Sequence, residues 1–237
     1  MNVLWCLHGN LQQPLVWNFV RQHFQGSDVR VETVSLWDTL SDDPWSWSRS
    51  FCESVSLLEG SNNHYLLGYS LGGRLGFHAL IRAPLLWTGA IIVSADPGTS
   101  DIQVRERAWE RDRIWASRFL TESWQPLLAE WDALPVFCGR PCLTPRPESA
   151  FDRKKIAHAF EAYSKGHMDD LAARLCALEV PITYIAGSDD HRYCHLGESL
   201  QTHGANLDHV QIDAAGHRVP WEQPDAFLRL LRNVLAF

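Results

Sequence analysis

The chain has 237 residues, 46% of them hydrophobic and 21% charged, and 28 acidic against 21 basic side chains leave a formal net charge of −7. That length suits one domain with a sizeable core, and the negative balance argues against a nucleic-acid partner. No apolar run approaches the roughly 18–20 residues that cross a bilayer, so no membrane insertion is expected.

The chain opens on Met1-Asn2-Val3-Leu4-Trp5-Cys6-Leu7, too short and without the basic flank of a signal peptide. Val3–Leu7 reads instead as a buried strand. Five more short apolar runs follow: Val29–Val34, His64–Gly68, Gly89–Ser94, Ile182–Ala186 and His209–Asp213. Segments with helical spacing separate most of them, around Trp17–Phe24, Trp45–Leu58, Leu71–Arg82, Tyr193–Thr202 and Pro224–Leu235. Alternation of strand and helix without a hairpin signal predicts a mostly parallel α/β sheet of about six strands, with helices on both faces. Ligands of such sheets bind beyond the carboxyl ends of the strands.

The alternation breaks between Ala95 and Pro181, where helix-like segments run around Asp101–Leu120, Trp124–Trp131, Ala150–Ser164 and Met168–Leu178. Leu134–Pro147, with four prolines and a glycine, reads as a loop. The division expected is a core of residues 1–95 and 181–237 and a helical lid over 96–180. Within the lid, Arg105, Arg107, Arg111, Arg113 and Arg118 crowd into 14 residues. The six cysteines, at 6, 52, 138, 142, 176 and 194, form no C-x-x-C pair, so reduced thiols and a cytoplasmic location are expected. Cys138 and Cys142 could pair in principle. His191, Cys194 and His195 lack further ligands for a metal, and neither metal nor cofactor is expected.

The chemistry is concentrated in Gly68-Tyr69-Ser70-Leu71-Gly72, followed by Gly73-Arg74. An apolar run precedes this G-x-S-x-G and a helical segment follows it, the context of a nucleophile elbow. Serine there sits on a sharp turn, with glycine two residues either side to remove clashing β-carbons. A serine needs a base and an orienting carboxylate. His217, on the loop after the last strand, is placed to be the base. After the preceding strand, Gly187-Ser188-Asp189-Asp190 offers two carboxylates, and the third position beyond the glycine favours Asp190; Asp189 reads as a turn-former. Oxyanion donors are expected from the backbone N–H groups of Leu71 and of Asn10, in the His8-Gly9-Asn10 turn after the first strand. His8 reads as a loop-shaping residue. Arg74, one turn past the elbow, could hold a substrate carboxylate in its planar fork.

Over nearly its whole length the chain resembles the α/β-hydrolase superfamily, and within it the 2-succinyl-6-hydroxy-2,4-cyclohexadiene-1-carboxylate synthase family, lyases of menaquinone biosynthesis. The resemblance is carried by Gly68–Arg74, by Asp112–Glu122 and by Glu130–Phe137. It implies an α/β-hydrolase fold and Ser70, Asp190 and His217 as a triad. It further implies that Tyr69, Arg74 and Trp131 line the pocket for a small anionic substrate, from which pyruvate is eliminated with the serine–histidine pair acting as a base. Ala108 falls where that family has a substrate-binding arginine, and Arg105 or Arg111, about one turn away, could substitute. A second expected arginine has no clean counterpart, Arg146 and Arg153 being merely near. A carboxylesterase, thioesterase or C–C bond hydrolase is the alternative that the same triad permits, and a catalytically silent binding protein is the reading from a different class.

Overall fold

A computed structural model describes residues 2–58, 63–204 and 206–235; residues 1, 236 and 237, at the ends of the expected core, lie outside the described residues. Six strands, β1 (Asn2–Leu7), β2 (Val29–Val34), β3 (Asn63–Tyr69), β4 (Gly89–Val93), β5 (Ile182–Gly187) and β6 (Leu207–Ile212), form one sheet in the order β2-β1-β3-β4-β5-β6. Every pairing is parallel. The helices are α1 (Asn18–His23), α2 (Pro44–Ser56), α3 (Leu71–Arg82), α4 (Ile102–Thr121), α5 (Trp124–Asp132), α6 (Arg153–Ala162), α7 (Ala172–Cys176), α8 (His191–His203), α9 (Val219–Glu222) and α10 (Pro224–Val234). This is the α/β-hydrolase fold. Among the described residues no helix is long and apolar enough to cross a membrane.

The strands read as continuous apolar runs because both faces of the sheet are covered. Successive side chains point to opposite faces. Leu66, Ile92 and Tyr184 join one core with Trp47 and Phe51 of α2 and Leu75 and Leu80 of α3. Their neighbours Leu67, Ile91 and Ile185 join the other, with Val20 of α1 and Phe227 and Leu231 of α10. Helices α4 to α7 are inserted between β4 and β5, and the rings of Phe119 on α4 and Phe160 on α6 stack at 5.5 Å. Aspartates cap three helices: the carboxylates of Asp43, Asp101 and Asp152 accept from the first free N–H groups of α2, α4 and α6.

Several element bounds differ from those expected. The helix foreseen over Trp17–Phe24 starts as a 3₁₀ turn at Pro14–Trp17 before α1. The one foreseen over Met168–Leu178 shrinks to α7, because the preceding residues leave helical geometry to dock: Leu171 N–H donates to Pro97 O at 2.9 Å, and Met168 Sδ receives Arg74 Nη1 at 3.5 Å. The Leu134–Pro147 loop contains a 3₁₀ turn at Pro135–Phe137.

The strand order puts the carboxyl ends of β1 and β3 side by side while their connections leave in opposite directions. A crevice opens at such a switch point.

Candidate active site

Ser70 lies in that crevice between β3 and α3, with φ 51° and ψ −109°. A non-glycine residue held there is strained. Its neighbours explain how the turn closes. A β-carbon on Gly68 would sit 2.7 Å from Gly72 O, and one on Gly72 would sit 2.5 Å from Leu7 O. The second approach also presses the start of α3 onto the turn after β1, where Asn10 lies. Leu71 is the first residue of α3, so its N–H has no partner within the helix. Asn10 borders the same cavity as Ser70, and its Oδ1 is buried without a partner.

His217 is 3% exposed and packed by the rings of Tyr69, Phe137 and Tyr193, with centroids 5.6, 5.8 and 4.8 Å away. Its Nδ1 donates to Asp190 Oδ2 at 2.8 Å. That bond fixes the tautomer and leaves Nε2 to accept from Ser70 Oγ, 3.3 Å away. Asp189 takes no part: exposed at the surface, it ion-pairs with Arg140. The turn carrying His217 is held by Glu222, whose carboxylate accepts from Gly216 N–H at 2.6 Å and Arg218 N–H at 3.1 Å. His8 is fully buried, and it donates from Nδ1 to Gly9 O at 2.9 Å and accepts at Nε2 from Leu36 N–H at 3.0 Å. Burial pushes its pKa down to about 4. It is a neutral brace for the loop.

A cavity of about 380 Å³ opens over Ser70 and His217. Trp115, Trp131, Phe137 and Phe160 give it an aromatic wall, and Arg74, Arg111, Lys165 and Arg192 give it four cations. Arg74 Nη1 donates to Tyr163 O at 2.7 Å and meets Met168 Sδ. Among the described residues no carboxylate lies within ion-pairing distance of it. Burial lowers its pKa while Asp112 nearby works the other way, and a guanidinium remains charged in either case. Arg111 is matched: its Nε and Nη2 both donate to Asp112 Oδ1, at 2.9 and 2.7 Å.

Tyr69 and Trp131 border a smaller hollow beside the cavity, together with Ser70, Arg146 and Arg218. Burial raises the Tyr69 phenol far above its ordinary pKa, so it stays neutral. Arg146 and Arg218 share Asp132, the latter at 2.5 Å. Arg105 is not brought to the cavity, which corrects the expectation for it. Its Nε donates to Gly166 O at 3.1 Å, and it borders a separate hollow with Ile102 and Trp109. The reason is helical: Arg105 and Arg111 flank Ala108 on opposite sides, about 120° apart around α4, so one faces the site and the other does not. All six cysteines are free, Cys138 and Cys142 included.

Lys165 and Arg192 line the cavity although neither is among the site residues expected from the sequence. Arg192 had a signal, two positions past the candidate acid; Lys165, in the link between α6 and α7, had none.

A family model described as the alpha/beta hydrolase family matches residues 6–230. A relative from Serratia proteamaculans (strain 568), named 2-succinyl-6-hydroxy-2,4-cyclohexadiene-1-carboxylate synthase, is 34% identical over 185 residues, which cover 75% of this chain and 70% of that one. Among solved structures, MenH from S. aureus matches with a TM-score of 0.84 at 20% identity, covering 99% of this chain and 93% of that one. A chain from a study of Nitrososphaera gargenis carboxylesterases matches with a TM-score of 0.75 at 16% identity, covering 99% and 89%. At those identities the two structures bear on the fold alone.

Proposed function

The chain belongs to the alpha/beta hydrolase family, and from that premise we propose that it is a lyase of menaquinone biosynthesis, eliminating pyruvate from a multiply carboxylated cyclohexene substrate. The observation that carries this reading is Arg74. A partly buried guanidinium one turn from Ser70, with no carboxylate of its own, is costly unless an anion completes it. A small neutral ester supplies no such anion. The name borne by the Serratia relative gives the anion a chemical class.

In this mechanism His217 takes the Ser70 hydroxyl proton at Nε2, with Asp190 holding the imidazole in register and stabilising the imidazolium. The Ser70 oxygen removes a proton from the substrate carbon beside a carbonyl. The electron pair moves onto that carbonyl oxygen, where the N–H groups of Leu71 and Asn10 stabilise the enolate. Collapse of the enolate forms the ring double bond and breaks the bond to the enolpyruvyl oxygen. The leaving group takes the proton from His217 and departs as pyruvate, so Ser70 and His217 end as they began. Arg74 holds a substrate carboxylate, Tyr69 and Trp131 shape the pocket, and residues 96–180 act as a lid over the core of 1–95 and 181–237.

The test is pyruvate release from the menaquinone intermediate. Ser70→Ala is expected to lower turnover at least about 10³-fold, and Arg74→Met to raise KM at least about tenfold. No pyruvate release, together with brisk hydrolysis of short p-nitrophenyl esters and an acyl-serine adduct, overturns the reading in favour of a hydrolase.

A further inference from the structure

We propose that Lys165 and Arg192, backed by Asp96, form a second anion subsite in the cavity, for a carboxylate remote from the reacting carbon. The inference rests on the reading that this cavity takes an anionic substrate, and it states how many anions the substrate must carry.

Three separate segments build the subsite: Asp96 in the stretch after β4, Lys165 between α6 and α7, and Arg192 at the start of α8. Asp96 is 5% exposed and receives Gly98 N–H on Oδ1 at 3.0 Å. Its Oδ2 takes both cations, Lys165 Nζ and Arg192 Nη2, the latter at 2.8 Å. One buried carboxylate thus serves two cations, and the group keeps a unit of positive charge. Lys165 has three donors and Arg192 five, and each spends one on Asp96. Both border the cavity; Asp96 does not. The donors left over therefore belong to cavity-lining side chains, with the carboxylate behind them.

Across the same cavity Arg111 is matched one-to-one by Asp112, whereas Asp96 alone serves both Lys165 and Arg192. Counting the four cations that line the cavity and the carboxylates paired with them, Asp112 and Asp96, leaves a surplus of two. Arg74 supplies one of these beside Ser70, and the Lys165–Arg192 pair supplies the other. Arg74 and Lys165 border the same cavity, so one small molecule can bridge the two cationic positions. A substrate with at least two carboxylates on a ring-sized scaffold neutralises both.

Calorimetric titration with benzoate, benzene-1,3-dicarboxylate and benzene-1,3,5-tricarboxylate tests this without relying on turnover. The wild-type protein is expected to bind the di- and tricarboxylate at least tenfold more tightly than benzoate. Arg192→Met and Lys165→Met are each expected to erase most of that advantage while leaving benzoate unchanged, and Lys165→Arg to retain it. Arg192 is largely exposed, so its variant reads binding even where loss of Lys165 unsettles the fold. Wild-type affinities that do not rise with carboxylate number, variants within twofold of wild type, or an equal loss for all three probes overturn the subsite. Pyruvate release judges the reaction separately: a protein that shows the expected binding and releases no pyruvate keeps the subsite and loses the lyase.

Discussion

Adjacent aspartates in this chain differ in environment far more than in chemistry. Asp190 is 4% exposed and its Oδ2 meets His217 Nδ1, whereas the Asp189 side chain is 48% exposed and pairs with Arg140 at the surface. Replacing the buried one by asparagine keeps its shape but offers the imidazole an amide that can favour the wrong tautomer. Asp190→Asn is therefore expected to lower turnover about 10³–10⁴-fold, and Asp189→Asn to leave it within about threefold, since exposed ion pairs contribute little. Comparable losses for the two variants in the same assay would refute the assignment of the acid. The choice between these residues was already legible in their position after the strand's glycine. What could not be read was the count of cations: Lys165 is 69 residues from the carboxylate it shares and Arg192 is 96, distances over which no local pattern operates.

Between elements, the tightest constraint is the seat of α3 on β1. A β-carbon on Gly72 would lie 2.5 Å from Leu7 O and 2.6 Å from His8 O, backbone atoms that cannot swing aside. One turn on, a β-carbon on Gly76 would meet Leu66 Cδ2 at 2.9 Å, the far end of a side chain that can rotate. Gly72→Ala is expected to cost about 1–3 kcal/mol by urea denaturation and Gly76→Ala less. Because the shift falls on the elbow and on the Asn10 turn, Gly72→Ala is also expected to lose more turnover than its stability explains; an active Gly72→Ala enzyme of wild-type stability would count against this packing. At this scale the sheet was legible because parallel strands covered on both faces are unbroken apolar runs. The insertion was less so. Its helices keep their 3.6-residue pattern where α4 and α6 pack together, but Met168 and Leu171 are apolar for contacts with Arg74 and Pro97 rather than for a helix, and the pattern overran α7 there.

For the molecule as a whole, two buried histidines contribute to the response to acid. Burial pushes both His8 and His78 down to about 4. His8 spends its Nε2 lone pair on Leu36 N–H, and the His78 ring packs edge-on against Trp45 at 4.6 Å. The folded chain thus refuses protons that the unfolded chain accepts below about pH 6.5. Their contribution to stability is therefore full above pH 6.5 and falls as the pH drops through the window from 6.5 to 4, by up to about 1.4 kcal/mol per pH unit for each histidine. Urea midpoints at pH 7, 6 and 5 should decline in that order, and a flat series would exclude the two histidines as the cause. The sheet has a slower consequence. Ser70 and His217 are 147 residues apart, and His217 follows β6, an edge strand bonded only to β5. Elements with fewer buried neighbours open locally at lower cost than the core strands. Fraying of that one strand would silence the molecule while most of its helix and sheet signal persisted, so catalysis would be the first property lost on mild denaturation and the last regained on refolding.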